Sequence, residues 1–210
     1  TNYVMPENSI QKIIDVLPGL EHLVIKGGEP FADDNNFRIL EHLNKVNPTC
    51  AVKIISNCST ITDSMLEVLK ERAKMRNPIK INASVDGIND LYYWIRSTDF
   101  NITLDTLEKI YIATKHPITI SITISLYNIY NIIEIFEFFY DKPYVTVTAA
   151  DAVQWPYYAS PGMLLPEEIE QIKTNILDRI KGQTEVGDMF YGMNTDWWNI
   201  NNLKSYKDIN

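Results

Sequence analysis

From Ile118 to Ser125 the chain alternates strictly between isoleucine and a hydroxyl residue, reading Ile-Thr-Ile-Ser-Ile-Thr-Ile-Ser. A period of two belongs to a β-strand, because a helix repeats its faces every three or four residues. The segment before it behaves alike: Ile79, Ile81, Ala83 and Val85 share one face, and Lys80, Asn82, Ser84 and Asp86 share the other. Val145 and Val147 oppose Thr146 and Thr148 in the same way. Each of these strands therefore has one face for covering helices and one polar face. Parallel strands covered on both sides read instead as continuous apolar runs. The pattern predicts a wet concavity lined by Ser, Thr and Asn.

Five strands are expected in all, at Leu20–Lys26, Ala51–Ser56, Ile79–Val85, Ile118–Leu126 and Tyr144–Ala149. Six helices alternate with them. Their apolar stripes are Ile10 to Leu17, Phe37 to Leu43, Met65 to Ala73, Leu104 to Tyr111, Ile129 to Phe139 and Ile169 to Ile180. Thr62 and Thr103 are candidate N-caps, and Pro166-Glu167-Glu168 is a helix start. Strand and helix recur at roughly the thirty-residue spacing of a βαβ unit, which makes the sheet parallel and the class α/β. A complete TIM barrel fills its interior with branched apolar side chains. Polar strand faces point instead to a partial, open TIM-like (β/α) barrel of parallel strands with outer helices. Residues 1–155 form this core, and 156–210 an aromatic loop, a last helix and a polar tail in which Trp197-Trp198 is expected to dock on the domain.

Charge narrows the function. The 210 residues carry a formal net charge of −8, which argues against nucleic acid as a partner. No apolar run is long enough to span a bilayer and no signal peptide is visible, so no membrane partner is expected. Cys50 and Cys58 form neither a zinc motif nor a disulfide framework, so a reducing, cytoplasmic setting is the default. His22, His42 and His116 lie scattered, away from other ligand types, and are read as structural or exposed. The Asn-x-Ser/Thr matches at Asn57, Asn82 and Asn101 are read as chance.

In α/β folds of either kind, ligands bind at the carboxyl ends of the strands. The first strand ends in Gly27-Gly28-Glu29-Pro30, where two glycines permit close approach to the backbone. The second ends in Ser56-Asn57-Cys58, and the third in Ser84-Val85-Asp86-Gly87, with Arg96 a few residues on. An Asp at a strand end can grip ribose hydroxyls, and an Arg can clamp a carboxylate with two hydrogen bonds. The fourth strand offers Ser125 and Asn128, and the fifth leads to Asp151 and Trp155.

Taken in order, Lys26-Gly-Gly-Glu-Pro30, Ser56-Asn57-Cys58, Ser84-Val-Asp-Gly87 and Ile95-Arg96 resemble the motif series of the radical S-adenosylmethionine (SAM) superfamily. The series is most similar to the SPASM/twitch-type branch, and it covers residues 5–155. The resemblance implies a SAM-binding enzyme core that, with a [4Fe–4S] cluster and an electron donor, cleaves SAM reductively to a 5′-deoxyadenosyl radical. A peptide or protein is the implied substrate. It also implies roles. Gly27, Gly28, Glu29 and Pro30 would meet the methionyl ammonium, and Ser56 and Asn57 would form the turn beside it. Ser84 and Asp86 would lie at the ribose and methionyl end, and Arg96 would pair with the carboxylate. Ser125 and Asn128 would hold the ribose, and backbone near 149–153 would meet the adenine.

The chain departs from the family pattern in two respects. The family shows Thr-Asn-Gly where this chain has Ser56-Asn57-Cys58. The C-x3-C-x2-C motif that holds the cluster is absent, as are auxiliary-cluster cysteines, and Cys50 and Cys58 cannot replace three thiolates on one short loop. The expectation is a fragment whose first strand and cluster loop lie before Thr1. The alternatives are a degenerate, non-catalytic binding module and, with less support, an unrelated barrel enzyme acting on a phosphorylated sugar.

Overall fold

The computed structural model describes residues 5–180. Seven α-helices and five strands alternate among them: α1 (Glu7–Val16), β1 (His22–Ile25), α2 (Asp34–Val46), β2 (Ala51–Ser56), α3 (Asp63–Ala73), β3 (Lys80–Ser84), α4 (Asn89–Arg96), α5 (Phe100–Thr114), β4 (Ile118–Ile124), α6 (Ile132–Tyr140), β5 (Val145–Ala152) and α7 (Pro166–Ile180). The strands run in sequence order in one parallel sheet, which is the α/β class and strand arrangement of a partial, open TIM-like barrel. The predicted tail and Trp197-Trp198 lie outside the described residues.

The chain divides into two compact units. The first runs to Ala83 and includes Asn101–Ile118. Its strands pair parallel, with Ile25 opposite Ile54 and Ile54 opposite Ile81. All three side chains are buried in one row, which the alternation along each strand requires. Leu40, Leu43 and Leu69 from α2 and α3 are fully buried with them. The two helices start where short polar side chains cap them: Asp33 accepts from Asn35 N at 3.0 Å, and Thr62 accepts from Met65 N at 3.3 Å.

The second unit comprises Ser84–Phe100 and the chain from Thr119 onward. Ile120, Ile122 and Ile124 on β4 are fully buried, while Ser121 and Thr123 between them remain half-buried. The alternation read in the sequence is thus a division between core and a partly exposed polar face. Ile132, Ile135, Phe136 and Phe139 of α6 complete this core.

Two helix assignments need correction. Thr103 is not the N-cap of α5, because the helix already begins at Phe100 and Thr103 is buried within it. The extra turn is drawn in by Phe100, whose ring packs 5.3 Å from Tyr92 and 5.3 Å from Phe138. The helix α4 was not expected at all. It is a two-turn helix, and of its side chains only Tyr92 is buried, so its apolar stripe was too short to register. No helix among the described residues is long and apolar enough to cross a membrane.

Candidate functional site

In the first unit, the chain leaves β1 through two left-handed glycines, Gly27 at φ +94° and Gly28 at φ +56°. Both are exposed, and a Cβ added at either would meet nothing within 4 Å. L-residues rarely adopt these angles, so glycine keeps this turn free of strain and the backbone open to a ligand. The next residue does something different. One carboxylate oxygen of Glu29 accepts from Phe31 N at 3.0 Å and from the Ser56 hydroxyl, and the other accepts from Asn57 N at 2.9 Å. Glu29 therefore caps the short helical turn Pro30–Ala32 and cross-links the ends of β1 and β2. Ser56 in turn accepts from Cys58 N at 2.8 Å. Pro30 is buried and its carbonyl accepts from Asn36 Nδ2 at 3.1 Å. The ligand-facing capacity of this segment is the backbone of Gly27 and Gly28, held in place by Glu29, Ser56 and Asn57.

Cys58 explains the altered turn. It stands at φ +54°, the region that favours glycine, and its side chain is fully buried. Burial pushes its thiol up to about 12, the Ser56 hydrogen bond opposing and the Glu29 charge adding to the rise. Burial also raises Cys50, against the pull of the Arg72 guanidinium. Both cysteines are buried in the core, where burial disfavours the thiolate that a metal ligand must be. Among the described residues no cluster of His, Cys, Asp and Glu could hold a metal ion. A [4Fe–4S] cluster does not fit the residues present here.

In the second unit, Asp86 is buried and works within the protein. Its carboxylate accepts from Thr123 N at 2.8 Å and forms an ion pair with Arg96. Asn128 is fully buried, accepting from Ser125 N at 2.8 Å and donating to the carbonyls of Asp86 and Thr123 at 2.9 Å each. The Ser125 hydroxyl lies 3.3 Å from Asn128 Oδ1 and accepts from Tyr127 N. Asp86, Ser125 and Asn128 therefore brace the exits of β3 and β4, a role invisible in the sequence because most of the partners are backbone groups. Two groups keep unused capacity. The half-buried Ser84 hydroxyl makes no hydrogen bond among the described residues, and the buried Arg96 Nε has no acceptor.

Sequence reasoning missed three residues that hold these ends in place. A Cβ on Gly87 would lie 2.9 Å from Tyr92 N, so glycine alone lets α4 approach and carry Arg96 to Asp86. Thr123 receives Asp86 through its backbone amide. Arg72 is fully buried without an acidic partner, donating instead to the carbonyls of Cys50 and Asn77 before β2 and β3. A lone arginine in a helix stripe gives no sign of this. A cavity of about 400 Å³ bounded by Pro18 to His22, Asn47, Thr49, Ala51 and Asn77 lies at the amino ends of β1 and β2, away from the strand ends just described.

No protein-family model matches the chain, and no curated protein matches it. Solved structures do. The structure of anSMEcpe with bound AdoMet and Cp18Cys peptide aligns with a TM-score of 0.64 at 16% identity, over 89% of this chain and 55% of that one. Streptococcus suis SuiB bound to precursor peptide SuiA aligns with a TM-score of 0.64 at 14% identity, over 88% of this chain and 42% of SuiB. The chain shares the fold of these two proteins. SuiB bound to S-adenosylmethionine also shares the fold, with a TM-score of 0.57 at 15% identity, over 78% of this chain and 36% of that one. The chain thus spans between about a third and somewhat over half of the length of these proteins. At such identities the likeness concerns the fold, and residue roles rest on the geometry above.

Proposed function

We propose that this chain is the SAM-binding core of a radical SAM enzyme of the SPASM/twitch type that modifies a peptide or protein. The observation that carries the reading is the open left-handed Gly27-Gly28 turn at the end of β1, within a fold shared with AdoMet-bound structures. The Gly27 and Gly28 carbonyls would accept from the SAM ammonium. The free Ser84 hydroxyl would meet the ribose, and the unused donors of Arg96 the carboxylate. Bound SAM supplies the 5′-deoxyadenosyl group to this chemistry. The chain's own share is to bind SAM, orient it and keep water away from it. The thiolates of a cluster and the electron donor are not supplied by these residues. That observation favours a second reading, a non-catalytic module that keeps the SAM site.

Calorimetry tests the shared premise. SAM should bind weakly but selectively, and ATP should not bind. Gly27→Ala should weaken SAM about tenfold, since its Cβ projects into the open side of a turn that alanine resists. Gly19→Ala, at a glycine with open space and ordinary angles, should leave SAM affinity unchanged. Equal affinity for SAM and ATP, or unaltered binding by Gly27→Ala, defeats the reading. A full-length protein that binds SAM but never cleaves it under reducing, cluster-reconstituted conditions would select the module.

A further inference from the structure

Tyr93, Trp94, Tyr127, Tyr130, Trp155 and Tyr158 are between 38% and 75% exposed, and all belong to the second unit. They stand on three segments that follow β3, β4 and β5. These segments are joined. Trp94 meets Tyr127 edge-on with ring centroids 4.8 Å apart, and Leu126 N donates to the Ala159 carbonyl at 2.8 Å. Trp155 packs edge-on against Tyr157 at 4.9 Å, which leaves its outer face to solvent. A soluble surface avoids exposing so many large rings together unless something docks on them.

Charge says what docks. Residues 84–100 and 119–180 hold eleven acidic side chains against four basic ones. All four cations are engaged: Arg96 by Asp86, Lys173 by Glu170, Arg179 by Glu134 and Glu137, and Lys142 over the Phe138 ring. Asp90 is exposed, forms no ion pair among the described residues, and lies one helical turn before Tyr93 and Trp94. Exposed ring faces beside an uncompensated carboxylate attract cations, through the ring quadrupole and through charge.

We propose that this aromatic surface of the second unit docks a lysine- or arginine-bearing segment of a peptide. The proposal rests on the reading of the substrate as a peptide and adds where it binds and what it must carry. Fluorescence anisotropy on the full chain would use a dye-labelled Gly/Ser peptide bearing lysines and its glutamate counterpart, with SAM affinity read separately by calorimetry. The lysine peptide should bind, more weakly as salt rises, and the glutamate peptide should not. Trp94→Ala and Asp90→Asn should each weaken it about tenfold while SAM affinity stays as in the wild type. Equal binding of the two peptides, or unchanged binding by both variants, overturns the proposal. So does sedimentation showing a wild-type dimer that Trp94→Ala turns into a monomer, since the surface would then cover a second copy. Peptide docking without SAM binding would sink the SAM reading alone.

Discussion

Cys58 combines two costs at one position, a left-handed backbone and a thiol that must stay protonated. Replacing it by Gly or Ala removes the thiol equally, so the difference between the two variants isolates the backbone. Cys58→Gly should be more stable than Cys58→Ala by about 1 kcal/mol, read from urea midpoints. The thiol itself sets a pH dependence. Its folded pKa of about 12 lies above the ordinary 9.0, so the unfolded chain gives up the proton first. Stability from this group is full below pH 9 and falls by about 1.4 kcal/mol per pH unit above it. The margin of wild type over Cys58→Ala should therefore shrink between pH 9 and pH 10.5. An unchanged margin would mean that the thiol is not held in the core. That Cys58 stands where the motif it resembles has Gly was legible. That this cysteine takes the glycine's backbone angle was not, because φ depends on the packing around the turn.

The segment from β3 to α4 shows how an element can be set by one missing methyl group. Gly87 lies so close to Tyr92 N that alanine would put its Cβ 2.9 Å from that backbone atom. Neither backbone can yield cheaply. Gly87→Ala should cost about 1–3 kcal/mol by overpacking, and should loosen Arg96 from Asp86 by displacing α4. Chemical denaturation measures the first effect, and a fall in SAM affinity larger than that of Gly19→Ala measures the second. An equally stable variant with wild-type SAM affinity would mean that α4 does not depend on this contact. The strands were readable because alternation with a period of two is local information, and β4 starts and ends within two residues of expectation. The helix α4 was hidden for the converse reason. It is held by the glycine contact, by Tyr92 against Phe100 and by the Asp86–Arg96 pair, all of which are tertiary.

For the molecule as a whole, the decisive count is two cysteines, both buried. Anaerobic reconstitution of this chain with iron and sulfide should leave the protein colourless, with iron well below one cluster per chain. Thiol titration of the native protein should find neither cysteine reactive until denaturant is added. A stable brown chromophore on this chain would contradict the burial of both thiols. What the sequence by itself determined was the alternation of strands and helices, the parallel α/β class and the positions of the motifs at successive strand ends. These follow from periodicity and order along the chain. It also fixed a net charge of −8 and a count of two cysteines, fewer than the three thiolates a cluster loop needs. Only the tertiary structure decided how the motif residues are used. Glu29, Asp86, Ser125 and Asn128 read as ligand groups in the sequence, yet each makes hydrogen bonds within the protein, to its own turn or to a neighbouring strand end. Gly27, Gly28, Ser84 and Arg96 retain capacity for a ligand. The physical reason is that a buried polar group must be satisfied. Whether a protein atom or a ligand satisfies it depends on what folding brings within three ångströms, roughly a hydrogen-bond length, and no spacing along the chain records that distance.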